Sequence, residues 1–333
     1  MRILVDVLGS DNRPTPDILG ALQAARELSD VHIGLVGPRH KIETELARHS
    51  TSGLHITIHD ANAEIAMDDK PSDVLKNKLG SSVHVGLKLL EEKQVDAFVS
   101  MGNTGAIHGI ATLFAPRRIR GVKRPALTAI FHVNGKPVVF LDVGANADCR
   151  PDWMHQFAVM GDIYARSALG HVHPRVGLLS NGEEEGKGNE LIRETTDLLR
   201  GTSLNFVGNV EPKELFLNKA DVIVMDGFTG NMFMKTFEAS TRYITGLIRD
   251  EVKRNPISML GGALLKPAFG NVKRRFDTAE VGGAPLLGVQ GVVIIGHGSS
   301  TEFGVKNAIH QAHKAVSSHI VEQITEQLSK QTI

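Results

Sequence analysis

The sequence predicts an α/β fold of three layers, αβα, in which helices cover both faces of a mostly parallel sheet. Short runs rich in Val, Ile and Leu, each bounded by Gly or Asp, alternate with longer stretches of helical period. The chain has 333 residues and contains no Pro/Gly-rich linker. We therefore predict one α/β domain over residues 1–333.

Nine apolar runs carry the strand signal. We predict strands over residues 3–7, 32–36, 54–58, 97–100, 127–131, 138–143, 176–179, 222–225 and 292–295. The clearest helix lies at the end of the chain, where apolar residues recur every three or four positions. These residues are Val305, Ile309, Ala312, Val316, Ile320, Ile324 and Leu328. Their stripe predicts a face that packs in the core or in a dimer contact.

Composition excludes several classes of protein. Lys plus Arg equals Asp plus Glu at 37 each, so net charge gives no argument for nucleic-acid binding. One cysteine, Cys149, excludes an internal disulfide framework and fits a reducing cytosol. No stretch reaches the ~20 apolar residues of a membrane span, and MRILVDVLGS is expected to form a first strand rather than a signal peptide. We expect a cytoplasmic protein.

Five loops at strand ends hold most of the polar information, and such loops build anion-binding clefts in α/β sheets. They span residues 6–14, 100–106, 142–146, 181–190 and 226–231. In the second loop, Gly102 and Gly105 frame Asn103 and Thr104 where a helix is predicted to begin. Backbone amides, an amide side chain and a hydroxyl would converge there at a positive helix end, which suits a phosphate or an oxyanion.

The first loop is weaker evidence. Gly9 permits close approach of a ligand, while Asp11 and Asn12 offer a carboxylate and an amide. Taken alone, these residues favour a turn and a helix cap.

The third and fifth loops share one pattern, a buried strand followed by Asp, then Gly, then Asn. Asp142 and Asp226 would orient hydrogen-bond donors, and Asn146, Thr229 and Asn231 would present them. We expect both loops to face the same crevice.

The fourth loop and a late histidine add charge. Lys187 and Asn189 lie between glycines before a predicted helix, where a lysine suits a tetrahedral anion. The acidic residues 183–185 favour a solvated turn instead. His297 follows an apolar strand and can donate to an oxyanion or relay a proton. Cys149 has no base beside it in the sequence, and we assign it no catalytic role.

Taken in order, these segments resemble the PlsX family, the phosphate acyltransferases of bacterial phospholipid synthesis. The matching residues are Gly9, Asp11, Pro14, 81–82, Ser100, 102–106, 124–127, 142–146, 182–184, 187–189, 208–209, Glu211, 226–231 and 297–300. The resemblance runs nearly end to end. It implies a fold like that of isocitrate and isopropylmalate dehydrogenases and of phosphotransacetylase.

The resemblance also implies an activity. A long-chain fatty acyl group would pass from the thioester of acyl carrier protein to inorganic phosphate, giving acyl phosphate, in a homodimer that uses no metal and no cofactor. A phosphotransacetylase that uses acyl-coenzyme A and a non-catalytic regulator that binds carrier protein or membrane stay open as alternatives. A decarboxylating dehydrogenase is disfavoured, because the sequence has no dinucleotide fingerprint.

Residue roles follow from the same resemblance. Phosphate would be held by Lys187, Asn103, Thr104 and the backbone amides of their loops. The oxyanion would be stabilised by Asn231 or His297, with Asp11 and Asp226 orienting those donors. The predicted phosphate-binding set is completed by Gly9, Asn12, Gly102, Gly105, Asp142, Asn146, Asn189 and Thr229.

Three departures from the family pattern bear on detail. Ser10 stands where the family usually has glycine, Lys76 where an arginine is expected, and 131–133 where a proline is common. Each could alter the affinity for phosphate or for the acyl group.

Two surface segments are predicted to bind partners. One is a basic loop that suits the acidic surface of a carrier protein, formed by Arg117, Arg118, Arg120, Lys123 and Arg124. A solvated loop without a partner is an equally good interpretation of these residues. An apolar stretch over 257–269 has basic residues on both sides, at 253–254 and 273–275. It lies in a helical protrusion predicted at roughly 240–280, and either membrane headgroups or a dimer partner would cover it.

Overall fold

The computed structural model describes residues 1–276 and 282–329 and confirms the α/β class. The strands are β1 (Arg2–Asp6), β2 (His32–Gly37), β3 (Ile56–Asp60), β4 (Ala97–Ser100), β5 (Ala126–Val133), β6 (Lys136–Leu141), β7 (Val176–Leu179), β8 (Phe206–Val210), β9 (Val222–Val224), β10 (Ala284–Leu287) and β11 (Val292–Ile295). All nine predicted strands are present. β8 and β10 were not predicted.

Helices fill the connections. They are α1 (Thr15–Glu27), α2 (Arg39–Leu46), α3 (Pro71–Asn77), α4 (Ser82–Glu91), α5 (Thr104–Leu113), α6 (Pro151–Ser167), α7 (Glu190–Arg200), α8 (Gly227–Val252), α9 (Pro256–Phe276), α10 (Glu302–Ser317) and α11 (Ile320–Ser329), with a 3-10 helix at Pro212–Leu217. The strand-to-helix order is the one expected of βα units.

The strands form a single sheet in the order β3-β2-β1-β4-β11-β10-β5-β6-β9-β7-β8. β1 to β4 and β11 are mutually parallel, and so are β6 to β9. Antiparallel pairing of β10 with β11 and β5, and of β5 with β6, reverses the direction between these two groups. The five strand-end loops therefore divide between two parallel half-sheets.

Alternate residues of the strands feed two apolar cores, one on each face of the sheet. Ile3 belongs to the core on one face, which also contains residues of α1, α6, α10 and α11, such as Ile18 and Phe157. Leu4 faces the other side, with residues of α4 and α5 such as Leu87 and Ile110. These two cores give the predicted three layers.

The apolar stripe at the end of the chain lies in the core. Six of its seven residues are buried, and Val316 packs against the same cluster half-buried. The stripe spans two helices rather than one, because His319 takes a φ of 52° between α10 and α11. No glycine or proline marks that break in the sequence.

α8 and α9 occupy the segment predicted to protrude, and they pack against each other. No described side chain between residues 231 and 272 is buried. Phe233 and Phe237 hold the first part of α8 to the sheet, the former stacked on Phe140 with ring centroids 5.6 Å apart. The predicted basic side chains at 273–275, and residues 277–280, lie outside the described part.

Candidate active site

The first loop group is built from the loops that follow β1, β4 and β11, which are neighbours in the sheet. We call residues 8–12, 100–105 and 297–299 the N-terminal loop group. The backbone nitrogen of Asp11 donates to the carbonyl of Gly298 over 2.7 Å. A Cβ on Gly9 would lie 2.5 Å from the Met101 nitrogen, so only glycine permits this contact between loops.

A buried carboxyl group ties these loops together from below. Asp6 accepts hydrogen bonds from the Ser100 hydroxyl at 2.7 Å and from the Leu8 nitrogen at 3.0 Å. The Ser100 oxygen in turn accepts from the Gly102 nitrogen at 3.1 Å. Burial raises the pKa of Asp6 above its ordinary value. Asp6 opens the first loop, yet only its neighbours had been predicted as site residues.

Asn103 has a structural role at the start of α5. Its side-chain oxygen accepts from the Ala106 nitrogen at 3.0 Å, which caps the helix. Its side-chain amide donates to three backbone carbonyls, those of Ala66, Met67 and Asp69, at 3.0 to 3.2 Å. The amide is therefore engaged and does not offer phosphate the donor that we predicted.

The same cap leaves other donors open. Among the described residues, the backbone amides of Thr104 and Gly105 have no protein acceptor, and neither has the Thr104 hydroxyl. Unpaired amides in the first turn of a helix are aligned with the positive end of its dipole. This turn of α5 is the strongest anion-binding feature of the N-terminal loop group.

His297 lies beside this turn, because β11 pairs with β4. Its ring is exposed, and Nδ1 contacts the Ser299 hydroxyl at 3.0 Å. The exposed side chains of Asp11 and Asn12 lie on the neighbouring loop. A Cβ on Gly298 would approach the Asp11 carboxylate to 2.8 Å, so these two loops pack closely.

The second loop group follows β6, β9 and β7, also neighbours in the sheet. We call residues 142–146, 181–189 and 226–231 the C-terminal loop group. Asp142 is fully buried (0% exposed), and its carboxylate accepts five hydrogen bonds at 2.7 to 3.1 Å. The donors are the backbone nitrogens of Leu127, Gly144, Ala145 and Asn146 and the Asn146 side chain. The Asp142 carboxylate therefore holds its own loop in place against β5 and has no free acceptor position for a ligand.

The third and fifth loops do share one edge. The Asn146 side chain donates to the Pro125 carbonyl at 2.7 Å, and the Asn146 carbonyl accepts from the Gly227 nitrogen at 2.8 Å. Asp226 caps α8, accepting from the Thr229 nitrogen and hydroxyl at 2.8 and 2.7 Å. The polar groups of Asn146, Asp226 and Thr229 are therefore hydrogen-bonded within the protein. Asn231 is exposed.

Lys187 is exposed on the fourth loop, with its aliphatic stem against Gly182. Asn189 caps α7 by accepting from the Ile192 nitrogen at 3.0 Å. Asn209, which had been given no role, donates to the carbonyls of Glu184 and Lys187 at 3.3 Å each and so fixes the loop. Asn209 lies within the edge strand β8, and nothing in the sequence around it indicates this contact.

The sheet order corrects one prediction. β4, which leads into Asn103 and Thr104, and β7, which leads into the loop of Lys187, lie six strand spacings apart, about 29 Å across the sheet. The two strands also end at opposite edges of the sheet, because three antiparallel pairings separate them. A phosphate ion is far smaller than this separation. Within one chain, Lys187 and Thr104 therefore cannot hold the same phosphate.

Comparison with known proteins identifies the family. Residues 1–323 match the family model described as "Fatty acid synthesis protein". A phosphate acyltransferase of Geobacter sulfurreducens is 43% identical over 329 residues, which cover 98% of this chain and 94% of the relative. The chain belongs to the PlsX family of phosphate acyltransferases.

Solved structures agree with the fold. A phosphotransacetylase from Streptococcus pyogenes has a TM-score of 0.61 at 15% identity, covering 97% of this chain and 94% of its own. A putative 4-hydroxythreonine-4-phosphate dehydrogenase from Salmonella typhimurium has a TM-score of 0.50 at 11% identity, covering 94% and 98%. The fold is thus shared with the phosphotransacetylases and with dehydrogenase-like proteins, as the PlsX resemblance implied.

The basic loop over 117–124 is partly neutralised. Arg117 lies 3.8 Å from Glu91, and Lys123 pairs with Asp152. Arg118 donates to a backbone carbonyl of its own loop, while Arg120 is exposed. The guanidinium of Arg124 lies 4.9 Å from the centre of the Trp153 ring.

Burial shifts the pKa of Cys149 and that of His108 in opposite directions. Burial raises the pKa of the Cys149 thiol to about 12, so it does not supply a thiolate at neutral pH. His108 lies one turn after Thr104 on α5, and burial, reinforced by Arg124, lowers its pKa. Its Nε2 is buried without a hydrogen-bond partner among the described residues. Nothing in the sequence distinguished this histidine from the other fourteen.

Metal ligation and membrane insertion also bear on the site. No group of three or more His, Cys, Asp or Glu side chains among the described residues could hold a metal ion. None of the helices in the described part of the chain is both long enough and apolar enough to cross a membrane.

Proposed function

We propose that this protein transfers a fatty acyl group from the thioester of acyl carrier protein to inorganic phosphate, for phospholipid synthesis. Family membership supports the acyl transfer to phosphate. The observation that carries the site assignment is the open first turn of α5, flanked by His297 and the Asp11 loop. These groups follow β4, β11 and β1, three adjacent strands of the sheet, which supports a single anion site between their loops.

The chemistry needs positioning more than activation. An oxygen of hydrogen phosphate attacks the thioester carbonyl carbon, the carbon–sulfur bond breaks, and the phosphate proton passes to the departing thiolate. The products are acyl phosphate and the free carrier thiol. The α5 amides and the Thr104 hydroxyl would hold phosphate, and His297 would donate to the oxyanion. Asp11 would keep the His297 loop in place through Gly298.

A direct assay tests this function. Purified protein, long-chain acyl carrier protein and phosphate should release free thiol, and hydroxylamine should trap acyl hydroxamate in equal amount. Omitting phosphate is the matched control. Thiol release that does not depend on phosphate would contradict the proposal. Faster turnover of acyl-coenzyme A than of acyl carrier protein would favour the phosphotransacetylase-like alternative.

We further propose a homodimer in which Lys187 acts on the phosphate held by a second copy. The separation of about 29 Å across the sheet between β7, which precedes this lysine, and β4, which precedes the α5 turn, supports this arrangement. Lys187 is exposed and has no ion-pair partner among the described residues, so its ammonium group is available to another molecule. Asn231, exposed on the same loop group, would accompany it.

The basic loop would bind the acidic carrier protein. Three of its cations, Arg118, Arg120 and Arg124, have no acidic partner among the described residues. The loop contacts the turn between β10 and β11, since the Ile119 nitrogen donates to the Gly288 carbonyl at 3.0 Å. The phosphopantetheine arm would have to span β11 to bring the thioester to His297.

The α8–α9 protrusion would contact the inner face of the cell membrane. Ile257, Leu260 and Leu264 are between two thirds and nine tenths exposed on α9. Liposome flotation of the wild type against Leu264→Glu tests this, with Val172→Glu, at another exposed apolar side chain, as a charge-matched control. Loss of flotation with an unchanged oligomeric state would support membrane contact. Loss of the dimer would instead assign this face to the partner subunit.

A further inference from the structure

Ser10, one of the three departures from the family pattern, forms a buried pair with Asp17 of α1. Both residues are 0% exposed, and the Ser10 hydroxyl donates to Asp17 Oδ2 over 2.6 Å. The other carboxylate oxygen, Oδ1, has no hydrogen-bond partner among the described residues. A carboxylate in such a place is stable only while it carries a proton or gains a new partner.

The positive charge that Asp17 meets is the partial charge of the first turn of α1, in which it lies. Asp6 on β1 is the charged group that faces it, and it has the same sign. α10, which packs on α1, brings the apolar Val305 and a backbone carbonyl to this side. Arg13 is engaged with Glu64 on the outer side of the loop. Two cations of α10, Lys306 and His310, are paired with Glu27 at the other end of α1.

The Asp17 carboxyl group titrates near neutral pH. The pKa of Asp17 is raised to about 7: burial raises it most, the bond from the Ser10 hydroxyl lowers it, and the nearby Asp6 carboxyl raises it. Asp17 is therefore neutral in mildly acidic solution and charged in mildly alkaline solution. Ionisation leaves Oδ1 charged, buried and unpaired.

Ser10 links this pair to the N-terminal loop group. Its neighbour on one side, Gly9, packs against the backbone nitrogens of Met101 and Gly102. Its neighbour on the other side, Asp11, donates to the Gly298 carbonyl. A displacement of Ser10 would therefore reach both of the loops that flank the α5 turn.

We propose that Ser10 and Asp17 are positioning residues for the N-terminal loop group. The protonation state of Asp17 sets the position of residues 8–12 relative to the loops at 100–105 and 297–299, so that phosphate is held more tightly when Asp17 is neutral. This rests on the proposed function and adds to it a pH dependence. When Asp17 ionises, its unpaired oxygen draws in water or turns outward. The contact of Asp11 with Gly298 then loosens.

Asp17→Asn tests the pair, because asparagine still accepts from Ser10 but does not titrate. The ratio of the phosphate KM of the wild type to that of the variant should rise about fivefold between pH 6 and pH 8.5. The ratio is the readout because phosphate itself titrates in this range, equally for both proteins. A ratio that stays flat while the wild type is active would overturn the proposal.

A second measurement does not depend on activity. The folded pKa of about 7 lies above the ordinary 3.8, so the stabilising contribution of Asp17 is complete below pH 3.8 and is lost as the pH rises through about 7. The Tm of the wild type should fall relative to that of Asp17→Asn over this range. A constant difference would contradict the proton-dependent pair even if no turnover were found, whereas absent turnover contradicts the proposed function.

Ser10→Ala covers the case in which Asp17→Asn does not fold. It removes the hydroxyl and leaves the carboxyl group, so the phosphate KM should rise about threefold at pH 6, with kcat little changed. Ser10→Thr, which restores a hydroxyl, should recover part of this loss. Equal KM values for the wild type and Ser10→Ala would count against the pair.

Discussion

The N-terminal and C-terminal loop groups have similar sequences and different uses of their polar groups. In the C-terminal group, Asp142 accepts four hydrogen bonds from its own loop and one from Leu127 of β5, and the Asn146 side chain also donates to Pro125, so the loop over 142–146 offers few donors to a ligand. In the N-terminal group, Asp6 and Asn103 tie the loops together and leave the first turn of α5 open. A loop rich in Asp, Gly and Asn can thus be either a self-satisfied support or a binding site.

The largest effect that we expect is on the stability of the C-terminal group. Asp142→Ala would leave five donors without their acceptor, three of them buried, and should lower the free energy of unfolding by at least about 3 kcal/mol. Asp226→Ala removes a helix cap of two bonds and should cost about 1 kcal/mol. Urea denaturation of both variants measures the difference. Equal losses would mean that Asp142 is not the central support of its loop.

The next effect concerns the two groups in a dimer. Lys187→Ala and His297→Ala should each lower kcat/KM for phosphate by about 100-fold. If the groups meet only between two copies, mixing and reassembling the two variants should restore activity toward a quarter of that of the wild type, since one site in each mixed dimer is intact in both groups. Each variant reassembled alone is the control. Absence of recovery in proven mixed dimers would contradict a shared site.

The smallest effect lies outside both groups. Changing Arg118 and Arg120 to Ser should raise the KM for acyl carrier protein about three- to tenfold at low salt, with the phosphate KM unchanged. The difference should shrink at high salt, because screening weakens interactions between exposed charges. Lys41→Ser and Lys314→Ser, on the exposed faces of other helices, control for net charge. An unchanged KM at low salt would remove the basic loop from carrier binding.

Much of the fold could be predicted from the sequence. Apolar runs between glycines located nine strands, and the stripe at the end of the chain was predicted as a core face or a dimer contact, of which the structure shows the core. β8 was missed because Gly208 and Asn209 interrupt its pattern, and β10 because it has four residues including Pro285. The reversal between half-sheets depends on β10 and on the pairing of β5 with β6, which no local pattern encodes.

The site could be predicted only as a set of loops. The glycines around Asn103 and Thr104 correctly indicated the start of a helix. The sequence does not reveal, however, that the Asn103 side-chain amide donates to three backbone carbonyls. The burial of Ser10 and Asp17 and the separation of Lys187 from Thr104 likewise arise from tertiary packing.

The central claim is that phosphate binds at the open first turn of α5, and Thr104→Pro tests it most directly. Proline is tolerated at the first helical position, and Asn103 already has the extended ψ of 107° that a residue before proline requires. The variant loses one amide and the hydroxyl, whereas Thr104→Val loses the hydroxyl alone. We predict that Thr104→Pro raises the phosphate KM about tenfold or more and exceeds the effect of Thr104→Val, with an unchanged Tm. A folded Thr104→Pro protein with the phosphate KM of the wild type would contradict the claim.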